Sequence, residues 1–298
     1  MATAVDIEIL QAVRSPSHGL LAGVGRAARR NPVGTIAGVC CLLLVLLAIV
    51  GPTIAPHPAD QTGFPRLHPP SGTYPFGTDN LFRDMFSRII VGARNSLGVG
   101  FASVAVGTLL GVLLGVSSGY FGRWWDVLVG RGVDVLLAFP AIVFTIFFQS
   151  IFQPSLPTII MAIGLILTPG TTRIVRSATL GVRHQQYIEA AVAVGARPLR
   201  IMRSHVLPNV TAPIIVVVSV QIGIAILVEA TISFLGLGIS SANNPSWGRM
   251  LQETRPVWQA AWWTAVVPGV AISIAVVSFN IFGDALRDAL DPRLRGTR

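Results

Sequence analysis

Tyr187–Asn209 reads YIEAAVAVGARPLRIMRSHVLPN, a glycine-punctuated stretch set between two long apolar runs. Glu189, Ala190 and Ala191 lie in a helix-forming run that ends at Gly195, a residue able to turn the chain at a helix C-terminus. Pro198 suits the first turn of a second short helix, where a missing N–H costs nothing. On that helix Leu199, Met202 and Val206 form an apolar stripe, Arg200 and Arg203 form the polar side, and Pro208 closes it. A plain connector needs only a few residues, not a helix, a turn and an amphipathic helix. The alanines permit close approach and the stripe needs cover. The segment therefore predicts a docking surface for a partner protein.

The flanking runs decide the solvent. Of 298 residues, 52% are hydrophobic and 12% charged, about half the charged share of roughly 25% usual in soluble domains. Lipid must supply part of the surroundings. Val33–Val50 is the apolar centre of a first span, and a second uncharged stretch runs Asn95–Gly122. Between Asp134 and Arg173 lie 38 uncharged residues, too many for one crossing of about 20, and Pro154, Ser155 and Pro157 divide them. A third span then starts near Val127, a fourth covers Thr158–Val175, a fifth Val210–Leu235 and a sixth Trp262–Phe282. Period-2 alternation is absent, so the fold class is all-α, a polytopic membrane protein of six transmembrane helices.

Arginine placement orients the spans. All 22 basic residues are Arg, and sixteen fall in segments 1–31, 118–134, 171–208 and 283–298, against six in 51–95 and 236–261. Basic loops stay inside, so both termini are expected in the cytoplasm. Trp247, Trp258, Trp262 and Trp263 gather at the expected outer start of span six, and Trp124 and Trp125 at the inner start of span three, where indoles favour the membrane interface. No small-residue cleavage site follows the first apolar run, so it reads as an uncleaved anchor.

Within 51–95, seven prolines between Pro52 and Pro75 exclude a long helix. Thr78-Asp79-Asn80 offers an N-cap. Beyond it Leu81, Phe82, Met85, Phe86, Ile89 and Ile90 make an apolar stripe, with Arg83, Asp84, Ser87 and Arg88 opposite. That pattern predicts a short amphipathic helix at the outer interface. In span two Ser103, Gly107, Gly111, Gly115 and Gly119 recur every four residues and predict close helix packing, within this chain or against a second subunit.

Several chemistries drop out. Without lysine there is no P-loop and no Schiff base. The five histidines and the adjacent Cys40 and Cys41 show no metal-ligand spacing, so no metal site is expected. The net charge of +9 is spread among apolar spans, which favours a membrane over nucleic acid. Glu229 is the one acid deep in an apolar run, about 28 Å along span five at 1.5 Å per residue. Either it anchors the following FLGLG turn by accepting backbone N–H bonds, or it lines the outer mouth of a pathway. Gln221 and Asn280 are further translocation-path candidates. Asp126, Arg131 and Asp134 predict interhelical pairing near the cytoplasm rather than substrate contact.

The opening segment resembles the EAA loop of ABC importer permeases: EAA, three residues, Gly, nine residues, then I-x-L-P. Glu189-Ala190-Ala191, Gly195 and Leu207-Pro208 hold that spacing, and His205 stands at the Ile position. FGTDNLFRDMFSRIIVGARNSL (Phe76–Leu97), EATISFLGLG (Glu229–Gly238), PSWGRML (Pro245–Leu251) and GDALRDALDPR (Gly283–Arg293) are similar to segments of the dipeptide, oligopeptide and nickel permeases. Phe82 replaces the glycine usual in the first of these. The short loop after span one resembles the C-type (DppC/OppC-like) subunit, because B-type partners carry a longer insert there.

The resemblance implies a type I (MetI-like) importer permease fold in a bacterial inner membrane. It implies a heterodimer with a B-type permease, an extracytoplasmic substrate-binding protein, and cytoplasmic ATPases that bind ATP and Mg. This chain itself would be non-catalytic and need no cofactor. Glu189, Ala190, Ala191, Gly195, Pro198, Arg200, Arg203, His205, Leu207 and Pro208 would form the ATPase-coupling surface. The expected divisions are an N-terminal tail 1–32, a first span 33–50, an outer loop 51–95, a five-helix core 96–283 carrying the coupling loop 171–208, and a C-terminal tail 284–298. Peptides are the expected cargo. The alternatives are a nickel complex or haem in the same class, or an ATPase-independent secondary transporter.

Overall fold

The computed structural model describes residues 31–238 and 245–290. Most of the expected N-terminal tail 1–32, and the C-terminal tail beyond Leu290, lie outside these residues. Apart from one isolated bridge between Thr78 and Asp84, the described residues form helices and loops.

Helix α1, Pro32–Ile54, starts at Asn31, whose side chain accepts from the Gly34 N–H, with Pro32 in its first turn. Helix α2 is Met85–Phe121, α3 Arg123–Ala138 and α4 Ala141–Phe152. Helix α5 is Leu156–Arg183, capped by Ser155. Two short helices follow, α6 (Gln186–Ala193) and α7 (Pro198–Ile201). Long α8 is Thr211–Phe234, short α9 Trp247–Thr254, and α10 Trp263–Leu290.

Five of these helices are long and apolar enough to cross a membrane, and α3 with α4, a pair bent by 94°, makes a sixth crossing if the two form one span. The bend sits at Phe139-Pro140, both with extended ψ. A proline disfavours helical geometry in the residue before it and removes a donor, so the chain leaves the helix there. Pro169 and Pro268 remain inside α5 and α10. The third span is therefore two short helices rather than one straight one, and α10 runs past the expected core boundary at 283.

The small residues of α2 pack within the chain, against α5. A Cβ on Gly107 would lie 2.7 Å from the Gly164 carbonyl oxygen, one on Gly115 2.8 Å from that of Thr172, and one on Gly119 2.8 Å from Thr179 Cβ. The two backbones touch along this seam, and any side chain would push them apart. Helix α1 is peripheral, with 17% of its apolar window buried against 61% for α5.

Two expectations for the 55–96 region are corrected. No separate amphipathic helix forms: Leu81 and Phe82 lie in a loop, and the helix starts at Met85 as the first turn of α2. The cap is Asp84, which accepts from the Phe86 and Ser87 N–H groups, not the Thr78–Asn80 segment. The polar face also points inward. Asp79, Arg83 and Arg88 are buried, and both arginines bridge Asp79 to Glu253 of α9 at 2.5–3.0 Å. Phe82 has φ +60°, the left-handed conformation that favours the glycine it replaces. Two of the outer tryptophans are core anchors rather than interface residues. Trp247 is buried and donates to the Ile89 carbonyl, and Trp263 donates to that of Thr78. Trp258 and Trp262 are exposed.

Candidate functional site

The loop between α5 and α8 lies at the end of the bundle opposite α9. Its underside is apolar. Ile188, Ile201, Val206 and Val210 are buried against Val116 of α2 and Val175 of α5, with Tyr120 and Val182 alongside. Burial of these side chains fixes the loop to the ends of two long helices.

The turn between the short helices has the expected left-handed glycine. Gly195 has φ +79°. Its N–H donates to the Val192 carbonyl and the Ala196 N–H to that of Ala191, the paired bonds of a Schellman cap. After α7 the chain passes through a π-type turn, Met202–Val206, into one more helical turn, Leu207–Asn209. Pro208 explains the change of winding, since it cannot donate and its ring displaces the preceding carbonyls.

The outer surface of the loop carries Glu189, Ala190, Gly195, Pro198, Arg200, Arg203 and Pro208, all exposed, with Ala191, His205 and Leu207 half-buried. The apolar stripe differs from the expected one. Val206 is fully covered by this chain and Met202 half-covered, whereas Leu199 is 72% exposed and Val194 84%. Ile201 was missed as a core residue: it lies beside Arg200 in sequence but on the opposite face, which the π-type turn then carries on to Val206. The outcome is a convex surface with a glycine turn at its tip, two arginines on one flank and bare Val192, Val194 and Leu199.

The three path candidates from sequence each make contacts inside the bundle. Gln221 of α8 donates to the Leu167 carbonyl at 3.0 Å and pairs with Thr171, joining α8 to α5. Asn280 packs against Gly223, where a Cβ would meet its Oδ1 at 2.6 Å. Glu229 is buried and accepts from the Ser233 hydroxyl at 2.7 Å. Its Oε2 is buried with no hydrogen-bond partner among the described residues. The Ser96 and Ser246 hydroxyl oxygens accept from the N–H groups of Trp247 and Arg249. Glu229 makes its hydrogen bond within α8, to Ser233. It does not cap the FLGLG turn, whose N–H groups bond to the Thr231, Ile232 and Ser233 carbonyls around Gly236 at φ +88°.

Near the loop end, Asp126 of α3 grips Arg176 of α5 through both oxygens, and Asp134 pairs with Arg173 at 2.8 Å. Interhelical pairing is found there, between the bent third span and α5. Among the described residues no group of three His, Cys, Asp or Glu could hold a metal ion.

Comparison with known proteins agrees with this architecture. Residues 107–296 match the family described as binding-protein-dependent transport system inner membrane component, and residues 20–70 match the N-terminal TM domain of oligopeptide transport permease C. The chain is 41% identical over 268 residues to the dipeptide transport system permease protein DppC of Alkalihalophilus pseudofirmus, covering 90% of this chain and 88% of that one. It is 39% identical over 286 residues to the glutathione transport system permease protein GsiD of Escherichia coli, covering 95% and 93%. A chain of the inward-facing MetNI methionine ABC transporter superposes with a TM-score of 0.57 at 21% identity, over 70% of this chain and 98% of that one, and so shares the fold. The chain belongs to the family of inner membrane components of binding-protein-dependent transport systems, as a multi-pass ABC permease of the DppC/OppC-like kind.

Proposed function

We propose that this chain is the C-type permease subunit of an importer that moves small peptides into the cytoplasm, driven by ATP bound on partner subunits. The observation that carries the reading is the loop surface just described. It is rigid underneath, because Ile188, Ile201 and Val206 are buried, and bare on top, where Val194 and Leu199 have no cover among the described residues. An ATPase cleft would supply that cover. In this reading the loop 184–210 lies in the cytoplasm with both termini, and the α9 end faces a substrate-binding protein outside. A B-type permease completes the membrane pore. Peptide cargo rests on the relatives, which are named for dipeptide and glutathione transport.

The test is reconstitution in liposomes. The chain is purified with its natural partners and assayed for ATP-dependent, receptor-dependent uptake of a labelled dipeptide. Co-purifying ATPases and uptake that stops without ATP support the proposal. Uptake by the permease pair alone, or driven by an ion gradient, would sink it.

A further inference from the structure

The charged pairs between α3 and α5 frame a groove of about 340 Å³. Its walls carry Asp126, Arg131, Asp134, Arg173 and Arg176, with Val127, Gly130 and Thr172 between them. Five charged groups here belong to two membrane-spanning elements. Charged side chains facing lipid are costly and instead face water, a cavity or another protein. On α5, otherwise the most buried span, Arg173 is exposed and Arg176 half-exposed.

The groups are not equally committed. Asp126 and Arg176 hold each other in a two-point clasp. Asp134 and Arg173 share a single contact, with side chains 57% and 60% exposed. A pair so exposed exchanges partners readily. Arg131 is exposed and makes no ion pair among the described residues. A second observation comes from the helix backbone. Gly130 and Gly132 stand inside α3, yet a Cβ on either would meet nothing within 4 Å. Helix-interior glycine is unfavourable, and packing among the described residues gives it no purpose. Bare backbone beside a charged groove suits something that passes close by.

We infer that the α3–α5 groove is this chain's share of the cargo pathway, and that it holds a small zwitterion in transit. The carboxylate of the cargo meets Arg131 and Arg173, whose planar guanidinium groups match it. Its ammonium meets Asp134. Arg176 and Asp126 keep the two helices together while the cargo exchanges with the looser pair. Weak, exposed contacts serve a pathway better than tight ones, since the cargo must also leave. The inference rests on the peptide importer reading and places its cargo away from Glu229, Gln221 and Asn280.

The assembled complex in liposomes tests this, in a background lacking Cys40 and Cys41. Val127→Cys is treated with a small, membrane-impermeant cationic thiol reagent, with Leu113→Cys on the apolar face of α2 as control. The expected result is labelling of Val127→Cys at least tenfold faster than the control, from one side of the membrane without nucleotide and from the other in the ATP-trapped state. A rate no higher than the control in both states overturns the groove as a water-filled path. Arg131→Gln should reduce dipeptide uptake at least tenfold while receptor-stimulated hydrolysis stays within twofold, and Arg131→Lys, which keeps the charge but not the planar fork, should recover only part of the loss. Unchanged uptake, or parallel loss of uptake and hydrolysis, overturns the cargo contact. A wild-type complex that hydrolyses ATP on receptor binding but imports no peptide overturns the peptide reading, and with it the zwitterion. The labelling result still decides the groove in that case.

Discussion

Arg88 Nη2 lies 3.0 Å from Glu253 Oε2, joining the first turn of α2 to the last turn of α9 across 165 residues of sequence. The same arginine reaches Asp79, and Arg83 and Arg249 reach Glu253 as well. Two acids thus hold three guanidinium groups at the α9 end. Removing Arg88 leaves both acids paired through Arg83 and Arg249 but takes one charge-assisted hydrogen bond from each, worth about 1.5–3 kcal/mol apiece. Arg88→Met should therefore lower the unfolding temperature of the purified protein clearly and expose the 55–84 loop to protease. An unchanged melting curve would mean that the cluster contributes little.

The α2–α5 seam makes a sharper prediction. Gly111 abuts Thr171, whereas a Cβ on Gly98 would meet nothing within 4 Å. Gly111→Val should destabilise by about 1–3 kcal/mol through overpacking. Gly98→Ala should be neutral or stabilising by up to about 1 kcal/mol, since helix-interior glycine is entropically unfavourable. Chemical denaturation of both variants in one detergent would check the contrast.

Phe82 sits at φ +60° and is 46% exposed, so it bears left-handed strain with limited burial to offset it. Its backbone carbonyl accepts from the Phe64 N–H, a bond that glycine would keep. Phe82→Gly should leave stability unchanged or raise it by up to about 1 kcal/mol. A clear loss in thermal unfolding would show that the ring contributes more than the backbone strain removes.

Gly195 separates conformation from space. Nothing lies within 4 Å of a Cβ there, so any effect of substitution comes from the left-handed backbone alone. Asn tolerates that conformation better than Ala. Gly195→Ala should cost about 1 kcal/mol locally and reduce ATP-coupled uptake, while Gly195→Asn retains more of it and both variants insert normally. Equal uptake by all three proteins would remove the turn from the coupling surface.

Glu229→Gln keeps one acceptor oxygen for the Ser233 hydroxyl. The expected change is about 1 kcal/mol in stability and no more than a few-fold in uptake. A selective loss for peptides with free amino termini, with assembly intact, would instead make Glu229 a cargo contact.

The sequence showed some features plainly and hid others. Spans were visible because charge-free runs and arginine breaks follow directly from lipid as solvent. The loop turn was visible because Gly195 and Pro198 act locally. The inward polar face of 79–88 was not: amphipathic spacing separates two faces but does not say which is inside. That needed Glu253, supplied by a distant helix. Trp247 and Trp263 were misplaced for the same reason, their backbone partners lying more than 150 residues away. Pro140, Pro169 and Pro268 looked equivalent, and only the surroundings of each decided that Pro140 alone would break its span.

The glycine seam has one further consequence. From Gly107 to Gly119 the backbones of α2 and α5 stay in contact over about 18 Å at 1.5 Å rise per residue. Helices pressed together so closely cannot slide or flex separately. The loop at their ends is bolted to both through Val116 and Val175. A displacement at Gly195 therefore arrives as the tilt of a two-helix plate. The bent third span, continuous with α2 through Gly122 and held along α3 by the two ion pairs and by buried Val129 and Val133, is the part left to lag behind.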